Sequence, residues 1–236
     1  MLLKNQIKER AKYSVYTHLF SVFFIVFLAS LIPNFVSSVA MGRVMAGIGT
    51  DFEQIDAAQF LKDYNIASAL TLVATFINLP FQYCLFRYFL ILSGTPATKT
   101  CSFRAYFSGC ENVGAFLKGA VIVLILELLS AFGIFVGYFP VYLAFCMAPF
   151  LLAMNPEIKI TQAFRESRRI MRGHKKEAFS IILEFVLVRV GALILSLLGL
   201  SFFSLLVDTM ALSLLYTSLA TIFITLKADE KKENEA

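Results

Sequence analysis

Four ionisable residues stand inside long apolar stretches of this 236-residue chain, beyond easy snorkelling reach of their ends: Glu127, Glu184, Arg189 and Asp208. A charge at the centre of a bilayer costs about 2.5–3.5 kcal/mol on insertion scales, so such residues pair with one another or line a polar cavity. Two chemistries fit the set. One is a polar pathway for an ion, proton or anionic solute near the bilayer midplane. The other is an interhelical ion pair that fixes packing. Counted from the basic ends of their stretches, Glu127 and Arg189 lie about 12 and 15 Å deep at 1.5 Å per residue, and Asp208 about 9 Å below the opposite surface. Glu184 is five residues from Arg189, about 140° around a helix, and is a poor partner for it. Arg189 is therefore expected to reach Glu127, with Asp208 as the alternative. Asn78, Ser130 and Tyr142 are the few polar neighbours, which favours a packing pair over a conducting path.

A second group is set out by spacing. Between Ile160 and Lys176 the side chains Ile160, Ala163, Phe164, Ser167, Ile170, Met171 and His174 fall on one helical arc, and Arg165, Arg168, Arg169, Arg172, Lys175 and Lys176 on the other. Such a segment reads as an interfacial helix over 157–176, apolar side toward the membrane, basic side toward anionic headgroups or a partner protein. Ser167 and His174 are the polar residues of the apolar arc. An imidazole there suits proton handling, but no carboxylate shares the arc to complete a Ser–His triad. The chain has no H-E-x-x-H, no G-x-S-x-G and no paired aspartates on its apolar stretches. The expectation is no catalytic, metal or cofactor site, hence no enzyme.

The elements that position these residues are legible. The chain is 58% apolar and 16% charged, with 25 Phe and no Trp, against about 25% charged in soluble domains. Spanning helices need about 20 apolar residues, and lipid requires every backbone polar group to be satisfied within the segment. Six stretches qualify or nearly do: 19–40, 66–92, 119–137, 138–154, 179–200 and 202–226. Gly133, Gly137 and Pro140 supply a turn between the third and fourth, which form a hairpin or a re-entrant pair. The fold expected is all-α, a six-helix transmembrane bundle in one domain with one interfacial helix and a disordered tail over 228–236. The first stretch is too long for a signal peptide core. In the loop 41–65, Thr50 and Glu53 read as a capping box opening a short helix.

Seventeen of the 21 Lys and Arg fall before the first stretch, after the second and fourth, and in the tail. By the positive-inside rule both termini are cytoplasmic, which agrees with six crossings. The net charge of +5 is this excess, with no base-reading motif beside it, so nucleic acid is not an expected partner. Cys84 and Cys146 fall in apolar stretches and Cys101 and Cys110 on the reducing side, so no disulfide is expected. Thr100-Cys-Ser-Phe-Arg104 and Thr161-Gln-Ala-Phe-Arg165 echo one another before two of the stretches, a match short enough to arise by chance.

The run Ala148-Pro-Phe-Leu-Leu-Ala-Met-Asn-Pro-Glu157, followed by Ala163-Phe-Arg-Glu-Ser167 and Met171-Arg-Gly-His-Lys-Lys-Glu-Ala-Phe179, resembles the hallmark of a family of bacterial multi-pass integral membrane proteins of unknown function. It is distantly similar to the membrane domain of some glycerophosphodiester phosphodiesterases. The likeness covers about residues 144–220. It departs where the family pattern carries a Trp, at Leu183-Glu184-Phe185 and Arg189. It implies a bacterial plasma-membrane protein and no particular activity.

Overall fold

The computed structural model describes residues 2–48, 57–94, 103–108, 111–136, 139–198 and 200–235. These are helical almost throughout, without a strand among them. The helices are α1 (Leu2–Thr17), α2 (Leu19–Ile48), α3 (Ala57–Gly94), α4 (Phe103–Phe107), α5 (Val113–Val136), α6 (Phe139–Phe145), α7 (Ala148–Met154), α8 (Ile160–Ile170), α9 (Lys175–Leu197) and α10 (Ser201–Glu235). Three of them are long and apolar enough to cross a membrane, over Ala58–Gly94, Lys175–Leu195 and Phe203–Asp229, and α1 with α2 makes a fourth candidate if that bent pair is one span.

The bend is sharp. Glu9–Thr17 and Leu19–Ser30 meet at 89°, with His18 at the break. The basic segment before the first stretch is thus a helix at right angles to α2. Ile7, Ala11 and Val15 recur at four-residue spacing, are buried, and dock α1 on α10.

The fourth apolar stretch is not one continuous helix. It forms α6 and α7, seven residues each, and each covers only about 10 Å at 1.5 Å per residue. Pro149 explains the break: it has no N–H to donate, and its ring clashes with the carbonyl four residues earlier, so Cys146 and Met147 form a turn. After the break Pro149 sits in the first turn of α7, where a missing N–H costs nothing. Asn155 ends α7, its Oδ1 accepting from the Glu157 N–H at 3.3 Å, and Lys118 Nζ of α5 donates to the Pro156 carbonyl at 3.2 Å. Lys118 therefore joins the start of α5 to the α7–α8 loop.

Two further boundary differences lengthen helices. α2 continues to Ile48 and α3 already begins at Ala57, so much of the expected loop 41–65 extends this hairpin; Thr50 and Glu53 lie outside the described residues. α10 runs to Glu235 where a disordered tail was expected. The alternation of Lys, Asp and Glu after Leu226 has good helix propensity, and elongating an existing helix avoids the cost of nucleation.

The core is aromatic and gathers where α3, α7 and α10 meet. Phe86 packs edge-on to Phe150 (5.2 Å) and Tyr216 (4.9 Å), and Phe150 stacks on Phe223 (5.8 Å). All six side chains of α7 from Ala148 to Ala153 are buried. Gly119 of α5 lies against the Tyr83 ring; a β-carbon there would collide with it. Away from this core the helices open out. Leu70, Val73 and Ile77 of α3 and Leu187, Val190 and Ile194 of α9 are exposed, which in a bilayer are lipid-facing positions.

Candidate functional site

Three of the four charges of the apolar stretches, Glu184, Arg189 and Asp208, sit on the α9–α10 hairpin. Ser204 Oγ donates to the Ala192 carbonyl at 2.6 Å, and Arg189 Nε donates to Asp208 Oδ1 at 2.7 Å. Both contacts join residues nearly equidistant from the turn near Leu198, as an antiparallel register requires. Arg189 thus pairs with Asp208, the alternative partner, rather than making its described ion pair with Glu127. The reason is connectivity: a two-helix hairpin with a short turn brings those positions together automatically. That signal was present in the sequence, since the short break around residue 200 sets which residues face each other. The pair is only partly enclosed, with 53% of the Arg189 side chain and 29% of the Asp208 side chain exposed.

Glu127 is partly buried on α5 and accepts a hydrogen bond from the Gln82 side chain of α3. Gln82 went unremarked in the sequence because it sits in a strongly apolar run one turn from Asn78. Tyr216 of α10 lies within electrostatic range of Arg189, Glu127 and Asp208, and Tyr142 of α6 within range of Arg189. Five helices, α3, α5, α6, α9 and α10, therefore contribute to one polar neighbourhood, which the charged residues alone did not reveal. Glu184 is partly buried on α9, one turn and more from Arg189.

A further feature was hidden by its chemistry. Thr209, Ser213, Thr217, Thr221 and Thr225 form a ladder at four-residue spacing along α10, each hydroxyl donating to the carbonyl one turn back at 2.7–2.9 Å. The first three are essentially sealed from the surface. Because every donor is satisfied within the helix, the stripe behaves as a smooth small surface and lets α10 sit against α1, α2 and α3.

At the basic end, α8 holds Arg165, Arg168 and Arg169 on its exposed side, and Arg172 is exposed in the turn that follows it. Arg169 pairs with Glu166 at 2.7 Å. The opposite side is covered by protein: Ala163, Ser167 and Ile170 are buried, and α8 packs on α6 and α7. Ser167 is fully buried, its Oγ donating to the Ala144 carbonyl of α6 at 2.9 Å, while Phe164 meets Phe145 edge-on at 5.1 Å. The carbonyl it caps is available because Pro149 and the α6–α7 break disturb the helical ladder there. The expected 157–176 helix is shorter, ending at Ile170. Met171–His174 form a turn that passes through Gly173 at φ +94°, a left-handed conformation suited to glycine. Lys175 and Lys176 then open α9 and leave the α8 face.

Ser167 and His174 have different surroundings. His174 lines a small apolar pocket with Ile7, Glu177, Ile222, Thr225 and Leu226. Glu177, the third residue of α9, was not counted on the apolar arc; the turn at Gly173 brings it beside His174. Its Oε2 is buried without a hydrogen-bond partner among the described residues. Among the described residues no three His, Cys, Asp or Glu side chains cluster as a metal site would require. Cys84 and Cys146 are buried and neither is in a disulfide, and Cys101 and Cys110 lie outside the described residues. No family model, curated protein or solved structure matches the chain.

Proposed function

We propose that this chain is a multi-pass membrane protein whose basic end faces the cytoplasm and whose work is binding rather than catalysis, with anionic lipid headgroups or a partner protein held on the α8 face. The observation that carries this is the two-sidedness of α8: Ser167 and Phe164 fasten one side to α6, while Arg165, Arg168 and Arg169 stand on the other, with Arg172 exposed in the turn just beyond. A basic helix that merely floated at the interface would spend its apolar side on lipid. Here that side is already occupied, so the arginines are held at a fixed place relative to the bundle. Each contributes about 1 kcal/mol of attraction to an anionic leaflet at low salt. In this reading the six apolar stretches are the crossings, α6 and α7 make the broken fourth, and both termini are cytoplasmic. The resemblance of residues 148–179 to a bacterial family supports a bacterial plasma membrane as the setting.

The test is native mass spectrometry of the gently extracted protein titrated with phosphatidylglycerol. Replacing Arg165, Arg168, Arg169 and Arg172 with Gln is expected to remove several bound lipids per protein. An unchanged lipid count overturns the reading.

The polar neighbourhood around Tyr216 favours one rival, a small secondary transporter with its substrate near Glu127, Arg189 and Asp208. Transporters place substrate near the midplane on just such helices. Reconstituted vesicles in which Asp208→Asn abolishes uptake of a solute, with headgroup binding unaffected, would select that rival.

A further inference from the structure

A cavity of about 560 Å³ opens at the basic end where α1, α3 and α10 meet. It is remote in sequence from the α8 arginines and belongs to a different part of the bundle. From α1 come Arg10, Tyr13 and Ser14; from α3, Ser93; from α10, Thr221 and Thr225. Three facts give its chemistry. First, α1 lies at 89° to the start of α2, so if α2 crosses the membrane this wall runs along the membrane surface, at headgroup level. Second, the wall made by α1 is a donor wall. Arg10 has no ion-pair partner among the described side chains, and neither Ser14 nor the Tyr13 hydroxyl makes a described hydrogen bond. Glu9, the one carboxylate at the rim, is answered by Lys12 at 3.2 Å, so Arg10 leaves the wall with a net positive charge. Third, the wall made by α3 and α10 is an acceptor wall. Thr221 and Thr225 commit their protons to the carbonyls one turn back, at 2.8 and 2.9 Å, and Ser93 Oγ donates to the Thr217 carbonyl at 3.4 Å. Their lone pairs remain for a ligand's own hydroxyls.

Positive donors on one side and hydroxyl acceptors on the other match one kind of group. We infer that this cavity binds a phosphate ester carrying a polyol, with the phosphate oxygens on Arg10, Tyr13 and Ser14 and the polyol hydroxyls on Ser93, Thr221 and Thr225. The guanidinium fork suits two phosphate oxygens at once. The volume falls in the range of small-ligand sites, about 300–1,000 Å³. Its position at the membrane surface, which rests on the crossing scheme proposed above, makes a glycerol phospholipid headgroup one source and a free sugar or glycerol phosphate the other. The site does not depend on the α8 face.

The experiment uses the full-length detergent-solubilised protein with three soluble probes: dihexanoyl phosphatidylglycerol, dihexanoyl phosphatidylcholine and glycerol 3-phosphate. Dissociation constants come from native mass spectrometry and from thermal protection. Phosphatidylglycerol is expected to bind one tight equivalent, and Arg10→Gln to weaken it about tenfold, the loss of a charge-assisted pair of hydrogen bonds. Arg10→Lys should keep part of the affinity, and Thr221→Val should reduce the preference for phosphatidylglycerol over phosphatidylcholine. If glycerol 3-phosphate competes at equal concentration, the source is a free phosphate ester; if it does not, it is the lipid headgroup. Either supports the site. Equal binding of phosphatidylcholine, or undiminished binding by a folded Arg10→Gln protein, overturns it. The α8 glutamine variant separates the two proposals: it should lose the loose lipids and keep the tight one.

Discussion

Two short helices at the basic end, α1 and α8, make a useful contrast. α8 has the most pronounced two-sided pattern in the sequence, and α1 has a weak one. In the folded chain their situations differ in the opposite sense. α8 is fastened by a buried hydroxyl–carbonyl hydrogen bond and a ring contact, and sends its cations outward. α1 is fastened by three small aliphatic residues, Ile7, Ala11 and Val15, and turns Arg10 and Ser14 into a cavity. Strength of pattern reports how cleanly a helix divides its residues. It does not report whether the polar side meets solvent or another helix, because that depends on where α10 runs.

The contrast rests on both helices belonging to one rigid bundle, and the first way to break it is through the bundle itself. Asp208→Leu leaves Arg189 unpaired within the membrane and should cost about 2.5–3.5 kcal/mol, the insertion penalty of one central cation. The double change with Arg189→Leu should recover most of it, read as thermal stability in detergent; a double variant no better than the single would mean that the 2.7 Å pair is not where the penalty lies. Phe150→Ala comes next. In lipid the water-transfer term is absent, and the cavity left between Phe86 and Phe223 is worth about 2 kcal/mol at 24 cal/mol per Å³.

Two smaller changes act on α1 and α8 directly. Ala11→Leu overpacks the α1–α10 seam, where Ala11 is 1% exposed, at about 1–3 kcal/mol. It should raise proteolysis of α1 while leaving α8 protected; equal protection of α1 would show the seam to be loose. Ser167→Ala deletes the bond to the Ala144 carbonyl at about 1 kcal/mol, and hydrogen exchange should quicken at α8 alone. Smallest of all, Lys12→Gln removes a pair whose partners are 51% and 73% exposed and should shift stability by less than about 0.5 kcal/mol.

The candidate site was legible to different depths. Arg189 and Asp208 stood out because charge in an apolar run is conspicuous, and their pairing followed from the α9–α10 turn, although Glu127 ranked ahead as partner. Gln82, Tyr216 and the hydroxyl ladder from Thr209 to Thr225 did not stand out, since amides and hydroxyls are nearly neutral on hydropathy scales and gain meaning only from their neighbours. The end of α8 at Ile170 was missed because Gly173 sits inside a helical pattern; only its left-handed backbone turns the chain and hands Lys175 and Lys176 to α9.

Composition and periodicity were enough to establish an all-helical chain with segments of membrane-crossing length, a basic end and a divided α8. These are properties of residues acting singly or over one or two turns, where hydrophobicity and local hydrogen bonding decide. The right angle at His18, the break of the fourth stretch into α6 and α7, the covering of the α8 apolar side by protein, and the cavity between α1, α3 and α10 were settled only by the tertiary structure. Each depends on which surfaces meet across dozens of residues, and helices of similar apolarity compete for the same contacts until close packing around Phe150 and the small-residue face of α10 selects one arrangement.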